Sequence, residues 1–261
     1  MQLDKTCIVI RERGWLDILD LALGMFRTHG RPVLAALAAG AVPIALVNYW
    51  LLAETFEVSL IEEEPGWYYF CQTLLVLFEI PLATAPLTLY LGQLLFVDKP
   101  QPRLIATNFA RSLPQIFLFQ LLLQFISVFA APFLNEIILL ERNPIRARRP
   151  GEISTRRRSA ALHAGIGGDM FGRRLAALVI GTLLTMALTL SFNFVRGVLG
   201  GHYQADWWMR AVEFPLAIWL VVGFFTVSRF LSYLDVRIRR EGWEVELILR
   251  AEAARLAGQI V

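Results

Sequence analysis

Glu79 lies inside a long apolar run, where a carboxylate is costly and normally has a purpose. Two uses are open to it. It could relay a proton or ion, or it could bind helices together as an ion pair or a protonated, hydrogen-bonded acid. Its expected partners are Arg196 and Arg229, both on apolar segments. A relay normally needs a second buried carboxylate, and Glu136 is the candidate; Glu141 is expected at an interface. Gln120 and Gln124 stand four apart, on one face of a helix. With Asn48, Gln93 and Asn193 they could hold helices together, at about 0.6–2 kcal/mol each, or line a polar path.

Other chemistries lack their residues. His29, His163 and His202 are far apart and show no zinc spacing. There is no GxxxxGK[ST] phosphate loop and no GxSxG nucleophile turn. Cys7 and Cys71 form neither a metal pattern nor a disulfide pattern. Gly165, Gly167 and Gly168 follow no strand, so they read as a flexible loop rather than a nucleotide fingerprint. No catalytic set, metal or cofactor is expected, and the reading is non-enzymatic.

The elements that position these residues follow from composition. In 261 residues, 56% are hydrophobic and 18% charged, and mean hydropathy is +0.54. Soluble domains carry about 45–50% and about 25%. This balance indicates an all-α polytopic membrane protein. The N-terminus is not read as a cleavable signal, because Glu12, Asp17 and Asp20 interrupt it. Runs 32–53, 66–97, 175–195 and 214–234 are each long enough to span, since about 20 apolar residues suffice. Lipid offers the backbone no partners, and continuous rather than alternating apolarity selects helices over barrel strands. Pro81 and Pro86 should kink the overlong second run.

The connections divide by charge. Residues 1–31 carry five basic groups, 54–65 carry five glutamates and no basic group, and 98–112 carry three basic groups. Residues 141–174 carry nine arginines, 196–213 two and 235–261 five. By the positive-inside rule the sides run in, out, in, in, out, in, with both termini cytoplasmic. Segment 113–140 lies between two inside connections, so it should enter and leave on one side. Two limbs of about 14 residues reach only about 21 Å, short of a core about 30 Å thick. The expectation is four full spans plus a re-entrant or short helical hairpin, giving five to six membrane segments in a single domain.

The ends read as interfacial helices. Trp15, Ile18, Leu19, Ala22 and Phe26 recur at helical spacing within 1–31, opposite Asp17, Asp20, Arg27 and Arg31. A shorter helix is expected over 102–111, and a last one within 235–261. Segment 141–174 is expected to be a basic cytoplasmic loop, with 142–168 its most mobile stretch. Arg156, Arg157, Arg158, Arg237, Arg239 and Arg240 should face lipid headgroups or a partner. A nucleic-acid partner is not expected; membrane lipids, and a membrane-protein partner or self-association, are. Trp50, Trp67, Tyr68, Tyr69, Trp207 and Trp208 read as an aromatic belt at the outer ends.

Three stretches carry a resemblance. They are the Arg11-Glu12-Arg13-Gly14-Trp15-Leu16-Asp17-Ile18-Leu19-Asp20-Leu21-Ala22 segment followed by Arg27, the Leu139-Leu140-Glu141-Arg142 limb end, and the stretch from Tyr233 to Glu246 containing Asp235, Arg237, Arg239, Arg240, Glu241, Gly242 and Trp243. Together the chain resembles the polytopic membrane domain of glycerophosphoryl diester phosphodiesterase and related bacterial membrane proteins. The Arg142 to Arg174 region departs most. The resemblance implies a helical domain of five or six membrane segments in a bacterial cytoplasmic membrane. It does not imply diesterase activity, which belongs to a separate metal-binding barrel. On its own spacing, the third stretch pairs Asp235 with Arg239 and Arg237 with Glu241. Gly242 then permits a bend. The functional expectation is a scaffold or accessory subunit binding lipid or protein at the cytoplasmic face. The alternative is a transporter or lipid-handling protein using Glu79 and the hairpin.

Overall fold

The computed structural model describes residues 14–61, 66–95, 100–118, 131–147, 152–165, 167–201, 203 and 206–241. Its elements are α1 (Trp15–Leu51), α2 (Ala53–Ile61), α3 (Gly66–Ala83), α4 (Ala85–Leu94) and α5 (Pro102–Ile116). There follow α6 (Leu134–Glu136), which continues as a π turn (Ile137–Glu141), α7 (Thr155–His163) and α8 (Gly167–Gly200). A second π turn (Met209–Glu213) leads into α9 (Phe214–Glu241). Among the described residues there is no strand. Four helical stretches are long and apolar enough to cross a membrane: Trp15–Leu51, Gly66–Leu94, Gly167–Gly200 and Met209–Arg240. The chain is an all-α polytopic protein.

α1 starts where the Gly14 amide donates to the Asp17 carboxylate at 3.1 Å, and Asp17 complements the helix dipole in its first turn. The helix breaks at His29 (φ −122°, ψ 27°). Pro32, three residues on, has no N–H to donate, and its ring crowds the carbonyl one turn back. This break separates the expected interfacial helix from the span. Ile18 and Ala22 on its apolar face are fully buried, while Asp17, Asp20 and Arg27 are exposed.

The second span is bent as expected, but at one place. It ends at Ala83 and restarts at Ala85, around Thr84, ahead of Pro86; Pro81 stays within helix. Thr84 keeps both backbone bonds, donating to Ile80 O and accepting from Thr88 N–H, each at 2.9 Å. Hydrophobic burial drives little helix association in lipid, so close packing must do it. Gly40 of α1 sits against this bend. A Cβ there would lie 2.0 Å from the Ala83 carbonyl oxygen. Val33, Leu37, Ala41, Leu87, Leu91, Val227 and Phe230 form the core where α1, α4 and α9 meet.

α8 has a different environment. Of its 34 residues only Met170, Thr185, Thr189 and Gly197 are buried. Leu183, Leu190, Phe194 and Leu199 are 60% or more exposed. So much continuous apolar surface is stable only against lipid. Thr182, Thr185, Thr189 and Ser191 each donate to the carbonyl four residues back, which satisfies their hydroxyls within the helix.

The structure adds detail to the connections. Part of the acidic connection 54–65 is helix α2. The expected short helix over 102–111 extends through Pro114 to Ile116. Segment 141–174 is not loop throughout: Ser154 caps α7, and Arg173 and Arg174 belong to α8. α9 runs without a break from the fourth span through Glu241, the helical continuation that the expected Asp235–Arg239 spacing requires. Of segment 113–140, expected to be a hairpin, the residues up to Leu118 and from 131 are described. Gln120 and Gln124 lie outside the described residues, as do the expected Gly242 bend and residues 242–261.

Candidate functional site

Residues 131–141, expected as the second limb of the hairpin, form a largely buried segment of α6 and its π turn. Phe133, Leu134, Asn135, Glu136, Ile137, Ile138 and Leu139 are all buried. Here α5, α7 and α9 cover the segment through Ile116, Leu162 and Tyr233.

Polar contacts fix the limb at three places. Glu136 is fully buried, and its carboxylate accepts from Arg229 Nε of α9 at 2.7 Å. Glu141 accepts from Arg158 Nη2 at 2.8 Å and from the Tyr233 hydroxyl at 2.7 Å, with Arg237 Nε at 3.8 Å. Burial pushes the Glu141 carboxyl up, but the bonds from Arg158 and Tyr233 and the charges of Arg158 and Arg237 outweigh it. The result lies below the ordinary carboxylate value. His163 Nδ1 lies 2.7 Å from Ser159 O, while Nε2 accepts from the Phe133 amide at 3.3 Å. These partners put the proton on Nδ1 and leave the ring neutral. Burial pushes the His163 pKa down, against the Ser159 bond.

A groove of about 510 Å³ runs beside this limb, between α3, α8 and α9. That volume is within the range of small-molecule sites, about 300–1,000 Å³. Its walls are apolar, with Leu74 and Leu77 from α3, Met186 from α8, and Ile218, Val221 and Phe225 from α9. Gly181 brings α8 into contact with Phe225 and Val221. Polar groups also line it: Asn135, Arg173, Arg174 and Arg229. Arg173 pairs with Asp169 at 2.8 Å. Arg174 is within electrostatic reach of Arg229 and Glu136. Arg229 Nη2 and both side-chain polar atoms of Asn135 are buried without a hydrogen-bond partner. Among the described lining residues there is no Asp or Glu.

The residues singled out from the sequence separate into several sites. Glu79 does not meet Arg196 or Arg229. It accepts from Asn48 Nδ2 of α1 at 2.7 Å and is not part of the groove lining. Arg196 instead makes a fork to Asp206, at 2.7 and 2.9 Å, and a 2.7 Å bond to Glu213. Close by in the fold, buried Arg210 donates to Ser59 O at 2.9 Å, and Tyr68 donates to Arg210 O at 3.2 Å. Tyr68 is therefore core rather than aromatic belt, whereas Trp50, Trp67, Trp207 and Trp208 are exposed. Glu141, expected at an interface, is the half-buried centre of an ion cluster.

Of the arginines expected to face outward, Arg156, Arg157, Arg239 and Arg240 are exposed. Arg239 pairs with Asp235 at 3.0 Å, as the spacing predicts. Arg240 donates to the Ala164 carbonyl. Arg158 and Arg237 turn inward to Glu141, because a half-buried carboxylate there needs countercharge. Sequence reasoning passed over Asn135, Arg173 and Arg174 as site residues. The available signal was the pair of arginines at the mouth of an otherwise uncharged span. Among the described residues no three His, Cys, Asp or Glu stand together as a metal set. Comparison with family models, with curated proteins and with solved structures gave no match.

Proposed function

We propose that this chain is a non-enzymatic accessory protein of a bacterial cytoplasmic membrane that holds a membrane lipid in the α3–α8–α9 groove. The observation that carries this reading is the groove, apolar along its walls and carrying guanidinium and amide groups as well. Acyl chains and a polar headgroup match those two kinds of surface. In this reading the termini and α7 face the cytoplasm. Exposed Arg156, Arg157, Arg239 and Arg240 support that side, and α2, with exposed Glu54 and Glu57, supports the opposite one. The sequence resemblance to bacterial phosphodiesterase membrane domains favours the same compartment.

The alternative, a transporter working through Glu79, has less support. Glu79 has an amide as its partner and stands apart from the groove and from Glu136. The lipid reading is tested by purifying the chain in mild detergent and measuring bound lipid by native mass spectrometry. A photoreactive phenylalanine analogue at Phe225 should also cross-link to acyl chains in native membranes. Lipid-free protein together with no lipid cross-link would overturn the proposal.

A further inference from the structure

We infer that the polar part of the groove is a binding site for the phosphodiester of an anionic glycerophospholipid, held by Arg174, Arg229 Nη2 and Asn135 Nδ2. The inference rests on the lipid reading above and specifies the headgroup.

The first argument is unfilled hydrogen-bonding capacity. Asn135 is 2% exposed, lines the groove, and has neither its amide donor nor its acceptor paired. Arg229 spends Nε on Glu136 and keeps Nη2 buried without a partner. Buried groups of this kind cost about 1–3 kcal/mol each when left unsatisfied. Of these atoms, Asn135 Nδ2 and Arg229 Nη2 are donors, and both residues line one groove with a third donor residue, Arg174.

The second argument is charge. Arg174 and Arg229 carry two positive charges, and Glu136 offsets one. Arg173 is balanced by Asp169. One positive charge is left over, which matches the single negative charge of a phosphodiester. Planar guanidinium groups suit phosphate oxygens. A zwitterionic headgroup would add an ammonium, and among the described lining residues there is no carboxylate to receive it. That selects an anionic lipid over a zwitterionic one. The apolar walls select a lipid over a free anion.

The third argument is depth. Arg174 lies seven residues into α8, about 10 Å along its axis. This is near the polar boundary of the span that begins at about residue 175. A phosphate at that level keeps its acyl chains alongside Leu77, Met186 and Phe225.

The test uses the full chain in detergent, with phosphatidylglycerol or phosphatidylcholine added in turn and retention read by native mass spectrometry. Wild type should retain phosphatidylglycerol preferentially. Arg174→Gln should weaken that preference about 10- to 100-fold, as for loss of a charge-assisted bond, while phosphatidylcholine retention is unchanged. Arg174→Lys should keep part of the preference, and Arg157→Gln, on exposed α7, should keep all of it. Arg174 has no structural ion pair among the described residues, so the Gln variant should fold; an unchanged melting temperature confirms this. Equal retention of both lipids by wild type would overturn the headgroup inference and leave the lipid reading standing. Retention of neither would overturn both. Displacement of phosphatidylglycerol by equimolar inorganic phosphate would show a free-anion site and also overturn the inference.

Discussion

Glu136 and Arg229 lie 93 residues apart in the chain and 2.7 Å apart in the fold, with the carboxylate wholly buried. This bond ties segment 131–141 to the fourth span and leaves Arg229 Nη2 free beside the groove. Removing one partner strands a buried charge, so Glu136→Leu or Arg229→Leu should cost about 3–5 kcal/mol. The double variant should be more stable than either single one. Thermal unfolding in detergent reads all three.

α7 should undock in acid. The His163 pKa is lowered, so its contribution is complete above the ordinary value of 6.5 and is lost as pH falls through the folded value. Protonation would turn Nε2 from acceptor to donor against the Phe133 amide, in a setting where Arg174 and Arg240 disfavour the cation and Glu136 favours it. The Glu141 pKa is also lowered, so its contribution is present above 4.5 and is lost at lower pH. Hydrogen exchange over 155–163 should show protection falling in two steps, one below 6.5 and one below 4.5. His163→Gln should remove the first step and leave the second.

The sequence shows the spans and the first amphipathic helix because both are periodic. It also shows the i, i+4 pair of Asp235 and Arg239, because helical spacing decides it. Partner choice across helices has no such signal. Arg196 finds Asp206 and Glu213 beyond the end of α8, past Gly201 at φ +73° and Tyr203, whose ring lies against Gly197. Glu79 finds Asn48 because α1 and α3 pack together. The groove is built from α3, α8, α9 and residues 131–135, so no local stretch of sequence encodes it.

Gly40 should tolerate no side chain. Its Cβ would press on backbone at Ala83 and on the Pro86 ring, neither of which can swing away. Gly40→Ala should destabilise by about 1–3 kcal/mol. Gly24→Ala, in open space on the same helix, should be neutral or mildly stabilising. Comparing their unfolding midpoints checks the α1–α3 approach.

Glu79→Gln should be nearly silent. The new amide oxygen still accepts from Asn48 Nδ2, and its NH₂ can donate to Asn48 Oδ1, which is buried and unpartnered. Asn48→Leu should instead lower stability by about 0.6–2 kcal/mol. If Glu79→Gln abolished lipid retention while the protein stayed folded, the carboxylate would have a role that this account denies.

The most direct test of the four-span arrangement is side-specific labelling in intact cells. Cys7 and Cys71 are first replaced, and single cysteines are then placed at Glu57 of α2, Arg157 of α7 and Arg239 at the end of α9, all exposed positions. A membrane-impermeant thiol reagent applied outside should modify position 57 and leave 157 and 239 untouched until the cells are opened. Labelling of 157 or 239 from outside, or equal protection of all three, would contradict the account.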